Sequence, residues 1–188
     1  MRRLIGTFAL AAMTVAVTVR VASADDALVH PLDLAKSHAS FTVSHVYVTR
    51  VTGRVPIAAG SVELTPGSTL PKTVTATLDA RHVDTGNGDR DDDLQGPDWF
   101  DTKKFPAWSF VSSGVKPGTN DGFELDGTLT VHGVPQPVAL TVTVTRGLPH
   151  PAYHAVGHLD RHAFGMRTTP QDGLIGSDVT LTLDVALR

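Results

Sequence analysis

Residues 179–187 read VTLTLDVAL, and their alternation decides the fold. Every second position is apolar: Val179, Leu181, Leu183, Val185 and Leu187. The intervening positions are mostly polar: Thr180, Thr182, Asp184 and Ala186. Successive side chains of a β-strand point to opposite faces of the sheet, so this pattern predicts a strand with one dry face and one mostly wet face.

Similar alternation recurs along the chain, in about eight runs. It is clear at alternate positions of 39–47, 74–80 and 138–144. Turn residues separate the runs, at Pro66-Gly67, Pro117-Gly118, Asp121-Gly122 and Gly133-Val134-Pro135. Short turns predict antiparallel neighbours, and so an all-β domain.

Residues 84–106 interrupt this pattern. They are polar, with scattered Leu94, Trp99, Phe100 and Phe105, which indicates a long loop with a short helix capping one end of the sheet.

The strands fit either a two-sheet sandwich or an eight-stranded antiparallel barrel. Ala39, Ala76 and Ala80 are small residues on predicted inward faces, and they would leave space for a ligand in a barrel.

The first 24 residues have the features of a secretory signal peptide. Arg2 and Arg3 precede an apolar run over 4–19 that is short for a bilayer span, and Ala22-Ser23-Ala24 supplies small residues before Asp25. We therefore predict cleavage after Ala24, a domain over 25–188 without an integral membrane span, and a periplasmic or secreted location. An uncleaved anchor is the alternative, because Arg20 is an unusual charge after the apolar run.

Composition narrows the function. Residues 1–24 hold three of the 16 Lys and Arg residues and none of the 19 Asp and Glu residues, so the remainder carries a net charge of −6, which argues against nucleic acid as a partner. Cysteine is absent, which excludes disulfides and thiol catalysis. The common hydrolase, metalloprotease and nucleotide-binding motifs are also missing, so we expect a protein that is not an enzyme and needs no cofactor.

A set of short motifs in a fixed order resembles the YceI-like family. They are residues 37–45 (SHASFTVSH), 84–86 (DTG), 90–91 (RD), 98–101 (DWFD), 104–106 (KFP), 129–133 (LTVHG), 161–165 (RHAFG) and 178–179 (DV). The resemblance runs from about Leu28 onwards. Ser44, Val46 and His162-Ala163 depart from the usual family residues, which affects the expected head group of a ligand and not the expected fold.

The resemblance implies a lipocalin-like barrel that is exported and binds a polyisoprenoid or similar amphipathic lipid, such as a quinone, a polyprenyl phosphate or a fatty amide. We expect the lipid-binding residues to be the aromatic and apolar side chains of the predicted wall and cap: Phe41, Val43, His45, Tyr47, Trp99, Phe100, Phe105, Trp108, Phe110 and Phe164. Arg90, Asp91 and Arg161 are candidates for the head group, because an Arg can donate to phosphate or carbonyl oxygens.

Several alternatives stay open at this point. The aromatic residues could fill the barrel as ordinary core, Arg90 with Asp91 could anchor a loop, and Arg161 could pair with Asp91 or Asp178. A lipid-modifying enzyme using the same cavity and a filled-barrel envelope module are the competing functions, and a homodimer is possible. His150, His154, His158 and His162 recur every four residues, but on a strand that step is about 13 Å, so we predict no metal site.

Overall fold

A computed structural model of the chain describes residues 29–45, 49–119, 122–166 and 172–188. The predicted signal peptide, residues 1–24, lies outside the described residues, and so does Tyr47. Both stay predictions.

Within these ranges ten strands form one sheet, and all neighbours are antiparallel. The strands are β1 (Val29–Pro31), β2 (His38–His45), β3 (Thr49–Arg54), β4 (Ile57–Leu64), β5 (Pro71–Asp79), β6 (Ala107–Pro117), β7 (Gly122–Val131), β8 (Val134–Arg146), β9 (Ala152–Asp160) and β10 (Ile175–Ala186). Their order across the sheet is β1-β4-β5-β6-β7-β8-β9-β10-β2-β3. One α-helix, α1 (Gly88–Gln95), and 3-10 helices at Ala80–His82, Arg161–Phe164 and Asp172–Leu174 complete the described secondary structure.

Strand β10 carries the alternation that predicted the fold, and it pairs with β9 on one side and β2 on the other. Leu181, at its middle, lies opposite Phe41 of β2 and Gly157 of β9. Ala186 departs from the expected wet face because it is buried. The segment after β1 covers it: the Asp33 amide donates to the Ala186 carbonyl (2.8 Å), and the Ala186 amide donates to Ser37 Oγ (3.1 Å).

The sheet curls because one bent segment, β3 followed by β4, pairs with β2 before the bend and with β5 after it. Strands β3 and β4 are separated by Val55 and Pro56 alone; β3 pairs with β2, and β4 pairs with β5. The Val55 amide donates to the Ala39 carbonyl at 3.1 Å, and the Asp79 amide donates to the Pro56 carbonyl at 2.8 Å, so hydrogen bonding continues across the bend.

This curled antiparallel sheet confirms the all-β, lipocalin-like prediction. The predicted eight strands become ten for two reasons. Pro56 has no N–H to donate to a ladder, so one long strand is divided into β3 and β4. Strand β1 is a three-residue addition on β4 that the alternation does not indicate.

The segment between β5 and β6 contains the expected short helix. Helix α1 begins after Asn87, whose side chain accepts a hydrogen bond from the Arg90 amide (3.0 Å), and it ends at Gly96, whose amide donates to the Asp93 carbonyl (2.9 Å). The helix is almost wholly polar, and Leu94 is the residue through which it packs against the core. Helix α1 itself is therefore attached to the barrel by few apolar contacts.

The turn between β7 and β8 lies one residue earlier than predicted. Val131 pairs with Val134, so the two-residue turn is His132-Gly133, and Pro135 lies inside β8 opposite Thr130. Both turn residues have positive φ, 53° and 72°, as the tight hairpin turns that match strand twist require. The predicted turn, Gly133-Val134-Pro135, was therefore right at Gly133 and wrong at Val134 and Pro135; His132 was not expected because histidine is uncommon at positive φ.

Candidate functional site

The curled sheet encloses an apolar cavity, which we call the main chamber. The space between its lining side chains is about 1040 Å³, including solvent at its opening. Residues from most of the strands line it, with Leu32 and Val55 from the segments between them. The aromatic members are Phe41, Trp108, Phe110, Phe123 and Tyr153, and the aliphatic members include Ala39, Val62, Val74, Ala76, Leu78, Leu125, Leu129, Val138, Leu140, Val142, Ala155, Leu181, Leu183 and Val185.

A second cavity, which we call the lid chamber, lies under the cap; the space between its lining side chains is about 540 Å³, including solvent at its opening. Leu94, Trp99 and Phe100 line it from the cap, and Val43, Val131, Leu159, Arg161, Met166, Ile175 and Val179 are among the residues lining it from the barrel side. Four residues line both chambers: Phe41, Trp108, Leu129 and Leu181. The two chambers are therefore neighbours that meet at these four side chains.

An aromatic cluster stands where the chambers meet. The ring centres of Phe100 and Trp108 are 4.8 Å apart with an interplanar angle of 83°, and those of Phe41 and Phe100 are 6.1 Å apart at 87°. Edge-to-face contacts of this kind are favourable and fix the orientation of each ring. Phe41 comes from β2, Phe100 from the cap and Trp108 from β6, so the cluster ties the cap to the barrel.

Polar groups are few on the walls of the main chamber. The Tyr153 hydroxyl donates to the Thr69 carbonyl at 2.8 Å, and burial raises the pKa of Tyr153 to about 12. Ser40 Oγ donates to the Thr182 carbonyl at 3.3 Å. Trp108 Nε1 is different, because no described residue accepts its hydrogen bond although the atom is buried. The walls thus offer an apolar ligand a dry surface.

Arg161 is the charged residue on the wall of the lid chamber, and its side chain is 3% exposed. Its Nε donates to the Gly176 carbonyl (3.0 Å), its Nη1 to the Met166 carbonyl, and its Nη2 to the Ile175 carbonyl (2.9 Å). The guanidinium also lies over the Trp99 ring, 5.3 Å from its centre. These contacts hold the segment after β9 and the start of β10 together beside the lid chamber.

Asp172 is the acidic partner of Arg161, in place of the Asp91 or Asp178 considered from the sequence. Arg161 Nη2 lies 2.6 Å from Asp172 Oδ1, and His162 Nε2 lies 3.0 Å from the same oxygen. The hydrogen bond from Arg161, with a further contribution from His162, holds the pKa of Asp172 below its usual range. The buried guanidinium is therefore neutralised by the protein itself.

Arg90 and Asp91 anchor the cap locally through one residue, Thr85. The Asp91 carboxylate accepts hydrogen bonds from the Thr85 amide (2.9 Å) and hydroxyl, and Arg90 donates to Thr85 Oγ1 (2.8 Å) and to the Thr85 carbonyl (2.9 Å). Neither side chain lines either chamber. The geometry therefore matches the loop-anchor alternative.

The structure brings six of the predicted lipid-binding residues to the chambers: Phe41, Val43, Trp99, Phe100, Trp108 and Phe110. Phe105 instead packs edge-on against His132, with ring centres 5.4 Å apart. Phe164 is 1% exposed and lines neither chamber, because it is ordinary core. His45 stands at the end of β2, opposite Thr49 and Ile175, also away from both chambers.

Several residues that line the chambers were not predicted from the sequence. Phe123 and Tyr153, whose rings meet edge to face with centres 6.0 Å apart, were not selected. Phe123 begins the alternating run Phe123-Glu124-Leu125, so its inward orientation could have been read from the period of two. Leu94 and Met166 carry no such signal, since they come from the irregular segments whose position depends on tertiary contacts.

The histidines of β9 lie on the outer face of the sheet. His154 Nδ1 is 2.8 Å from Asp184 Oδ1, and His158 Nδ1 is 3.5 Å from Asp178 Oδ2. Across the described ranges, no group of three or more His, Asp or Glu side chains is placed to hold a metal ion. Among the same residues there is also no helix long and apolar enough to cross a membrane.

A curled antiparallel sheet around a dry, two-chambered interior defines a lipocalin-like β-protein with an internal apolar cavity. The YceI-like domain model matches residues 31–187, and the chain belongs to that family. A UPF0312 protein of Shewanella sp. (strain W3-18-1) is 30% identical over 128 residues, which covers 67% of each chain.

Solved structures share the same fold. BcnA of Burkholderia cenocepacia is 25% identical, with a TM-score of 0.75, and the match covers 82% of this chain and 98% of BcnA. A polyisoprenoid binding domain from Saccharophagus degradans, implicated in plant cell wall breakdown, is 17% identical with a TM-score of 0.63, covering 85% of this chain and 97% of that domain. At that identity the second likeness concerns the fold alone.

Proposed function

We propose that this protein binds a polyisoprenoid or a similar amphipathic lipid inside its curled sheet. The observation that carries the proposal is the pair of adjoining chambers, lined almost entirely by apolar side chains from strands on all sides. Ligand pockets are typically concave and mostly apolar, as the main chamber is. The polyisoprenoid binding domain with the same fold is consistent with this class of ligand.

Binding of a tail in such a cavity needs no chemistry beyond the removal of apolar surface from water. Each buried methylene contributes about 0.8 kcal/mol before the costs of ordering the ligand. In this proposal Phe41, Val43, Trp108 and Phe110 form the wall, and Trp99 and Phe100 form the lid. Tyr47 remains a further candidate.

Arg161 has a bracing role in this proposal. Its donors are directed at backbone carbonyls and at Asp172, so it supports the wall of the lid chamber while its charge is neutralised. Arg90 and Asp91 fix the start of the cap locally through Thr85. Head-group recognition by these three residues would require breaking contacts that the fold already uses.

We further propose that the protein is exported and acts as a carrier or scavenger. The basic and apolar features of residues 1–24 support export.

A lipid-modifying enzyme is the second candidate function. The titratable side chains on the two chamber walls are Tyr153 and Arg161. The Tyr153 hydroxyl and the Arg161 guanidinium are both held by hydrogen bonds to backbone carbonyls. Tyr153 and Arg161 therefore do not supply a general acid and a general base that face the same point in a chamber.

Lipid binding in the main chamber can be tested by a substitution that fills part of the chamber. Ala76 lines the chamber, and its neighbour Thr75 is exposed on the opposite face of β5. Phenylalanine at position 76 displaces two or three ligand carbons, so we expect Ala76→Phe to weaken binding of a C20 isoprenoid lipid roughly 10- to 50-fold. Thr75→Phe is the matched control and leaves binding unchanged, as measured by native mass spectrometry with extraction of bound lipid.

Three outcomes would change the conclusion. Equal lipid occupancy in both variants would place the ligand outside the main chamber. A wild-type protein that neither co-purifies with lipid nor takes it up would favour an envelope interaction module with a filled barrel. Chemical conversion of the bound lipid during incubation would favour the enzyme.

A further inference from the structure

The main chamber ends on two aromatic rings, which we call the floor, at the end of the barrel opposite the cap. Phe123, the second residue of β7, and Tyr153, the second residue of β9, line the main chamber and not the lid chamber. Their ring centres are 6.0 Å apart with an interplanar angle of 79°. The other ends of the same two strands carry Val131 and Leu159, which line the lid chamber. The floor and the cap therefore lie at opposite ends of the interior.

The barrel is filled beyond the floor. On three strands the position that follows the last chamber-lining residue on the inward face belongs to the hydrophobic core and lines neither chamber. These core residues are Leu64 at the end of β4, Val144 on β8 and Leu187 just after β10. Leu64 and Leu187 are each 2% exposed. Because side chains two positions apart on a strand share a face, the open space stops at the level of Phe123 and Tyr153.

Tyr153 is anchored from outside the chamber. Its hydroxyl donates to the carbonyl of Thr69, in the turn between β4 and β5, at 2.8 Å. Phe123 rests edge-on against this fixed ring, a contact that sets its own orientation. The hydroxyl is engaged with the protein, so the floor presents an apolar surface to a ligand. A close-packed and anchored surface of this kind resists the insertion of even one further methylene.

The positions on β7 give the depth of the interior above the floor. Its inward residues run from Phe123 at the floor, through Leu129 at the junction of the chambers, to Val131 in the lid chamber. At about 3.3 Å per residue and a strand tilt of about 40°, positions 123 to 131 span roughly 20 Å along the barrel axis. A site of fixed depth buries a linear tail only until the end of the tail meets the floor.

We propose that Phe123 and Tyr153 set the greatest tail length that the protein binds with full gain in affinity. The apolar end of a linear prenyl or acyl tail rests on the two rings, and the polar end of the lipid lies toward the lid chamber. Each isoprene unit that fits above the floor is removed from water and strengthens binding. A further unit must fold back or stay outside, so it adds little. This inference rests on the proposed lipid-binding function.

A series of all-trans prenyl alcohols, from farnesol to solanesol in steps of one isoprene unit, measures the limit. Successive members compete for a limiting amount of protein, and native mass spectrometry with lipid extraction gives their ratio of affinities. In wild type we expect each added unit to strengthen binding at least about tenfold up to one length, and less than about twofold beyond it. The longest tail that still gains the larger factor is the length limit.

Three variants locate the limit at the floor. Phe123→Ala removes a phenyl ring, whose carbon count is close to that of one isoprene unit, so we expect the length limit to move one unit toward longer tails. Phe110→Ala is the matched control, because it removes the same ring from the side wall opposite Leu129, and the limit should not move. Leu125→Phe adds volume one inward position above the floor, keeps both floor rings, and should move the limit one unit toward shorter tails.

The outcomes separate this inference from the function on which it rests. A length limit that is unchanged in Phe123→Ala and Leu125→Phe, or that moves equally in Phe110→Ala, would overturn the role of the floor while lipid binding stands. A wild-type affinity that keeps rising through the whole series would overturn it as well, because the tail would then not end on the floor. If no member of the series binds wild type, the proposed function and this inference both fail.

Discussion

Phe41 places its ring on the wall of the barrel because its cross-strand neighbour is a glycine. Gly53 lies opposite Phe41 in the β2–β3 pair, and a Cβ built on Gly53 would lie 2.3 Å from Phe41 Cζ. The ring therefore occupies the place of the missing side chain, a contact by which aromatic residues cover glycines in sheets. From there it reaches Phe100 and Trp108 at the chamber junction.

Substitution Gly53→Ala tests this contact. The added methyl group must displace the Phe41 ring, and overpacking of this kind costs about 1–3 kcal/mol of unfolding free energy. Urea denaturation of the variant measures the loss. Gly114→Ala on β6 is the control, since a Cβ there meets nothing within 4 Å. Adding Phe41→Leu to Gly53→Ala should cost less than the sum of the two single substitutions; strict additivity would show that the ring and the glycine are not coupled.

Asp172 gives the region beside the lid chamber a dependence on pH. Arg161, with a contribution from His162, holds the pKa of Asp172 below its usual range in the folded protein. On acidification the carboxyl of the unfolded chain is protonated first. The stabilisation is thus fully present above the ordinary carboxyl pKa and is lost as the pH falls through the lowered value.

We expect Asp172→Asn to lower stability at neutral pH and to make stability less dependent on pH below about pH 4. The difference between wild type and variant should shrink as the pH falls, because wild type then loses the ionised carboxylate as well. Urea unfolding at a series of pH values measures it, with Asp92→Asn at an exposed carboxyl as the control. A difference that is constant across the acidic range would exclude this role for the Asp172 charge.

At the scale of elements, the regular strands could be predicted from sequence and the connecting segments could not. The alternation of 179–187 and 138–144 indicates β10 and β8 because one face of each is buried. The bend at Pro56 and the turn at His132-Gly133 depend on backbone geometry that residue types only suggest. The same alternation identified Phe41, whereas Phe164 and Phe105 were chosen as aromatic residues alone and pack elsewhere.

In the candidate site too, the wall residues on regular strands could be predicted, and the contacts between irregular segments could not. The Arg161–Trp99 contact and the Arg161–Asp172 ion pair join segments of irregular structure whose approach is set by the whole sheet. Such contacts produce no periodic pattern in the sequence from which they could be predicted. The residues of the cap were thus predicted as a group, and their individual partners were not.

The cap itself is an element whose attachment can be weakened selectively. Removing the Asp91 carboxylate leaves the Thr85 amide without its acceptor, so we expect Asp91→Ala to accelerate amide exchange over residues 85–95 and to speed release of bound lipid. Exchange in β7 and β8 should not change. Hydrogen–deuterium exchange and a lipid-release assay measure the two effects, and Asp92→Ala is the control. Faster exchange throughout the sheet would mean that Asp91 supports the barrel and not the cap.

At the scale of the whole molecule, the same curl that brings β3 and β4 between β2 and β5 creates the interior space. Apolar side chains face inward from strands on all sides, and charged strand side chains such as His154 and Asp184 face outward. The aromatic cluster and the cap separate a larger chamber from a smaller one. The proposed function requires that a lipid lies inside this space.

Intermolecular NOE spectroscopy with bound geranylgeranylacetone tests that claim most directly. We expect contacts from the isoprenoid methyl groups to inward residues, such as Leu140 and Leu183 of the main chamber, and none to Val111, an exposed side chain on the outer face of β6. Contacts confined to Val111 and other outer residues, or saturable binding without contacts to the main chamber, would contradict it.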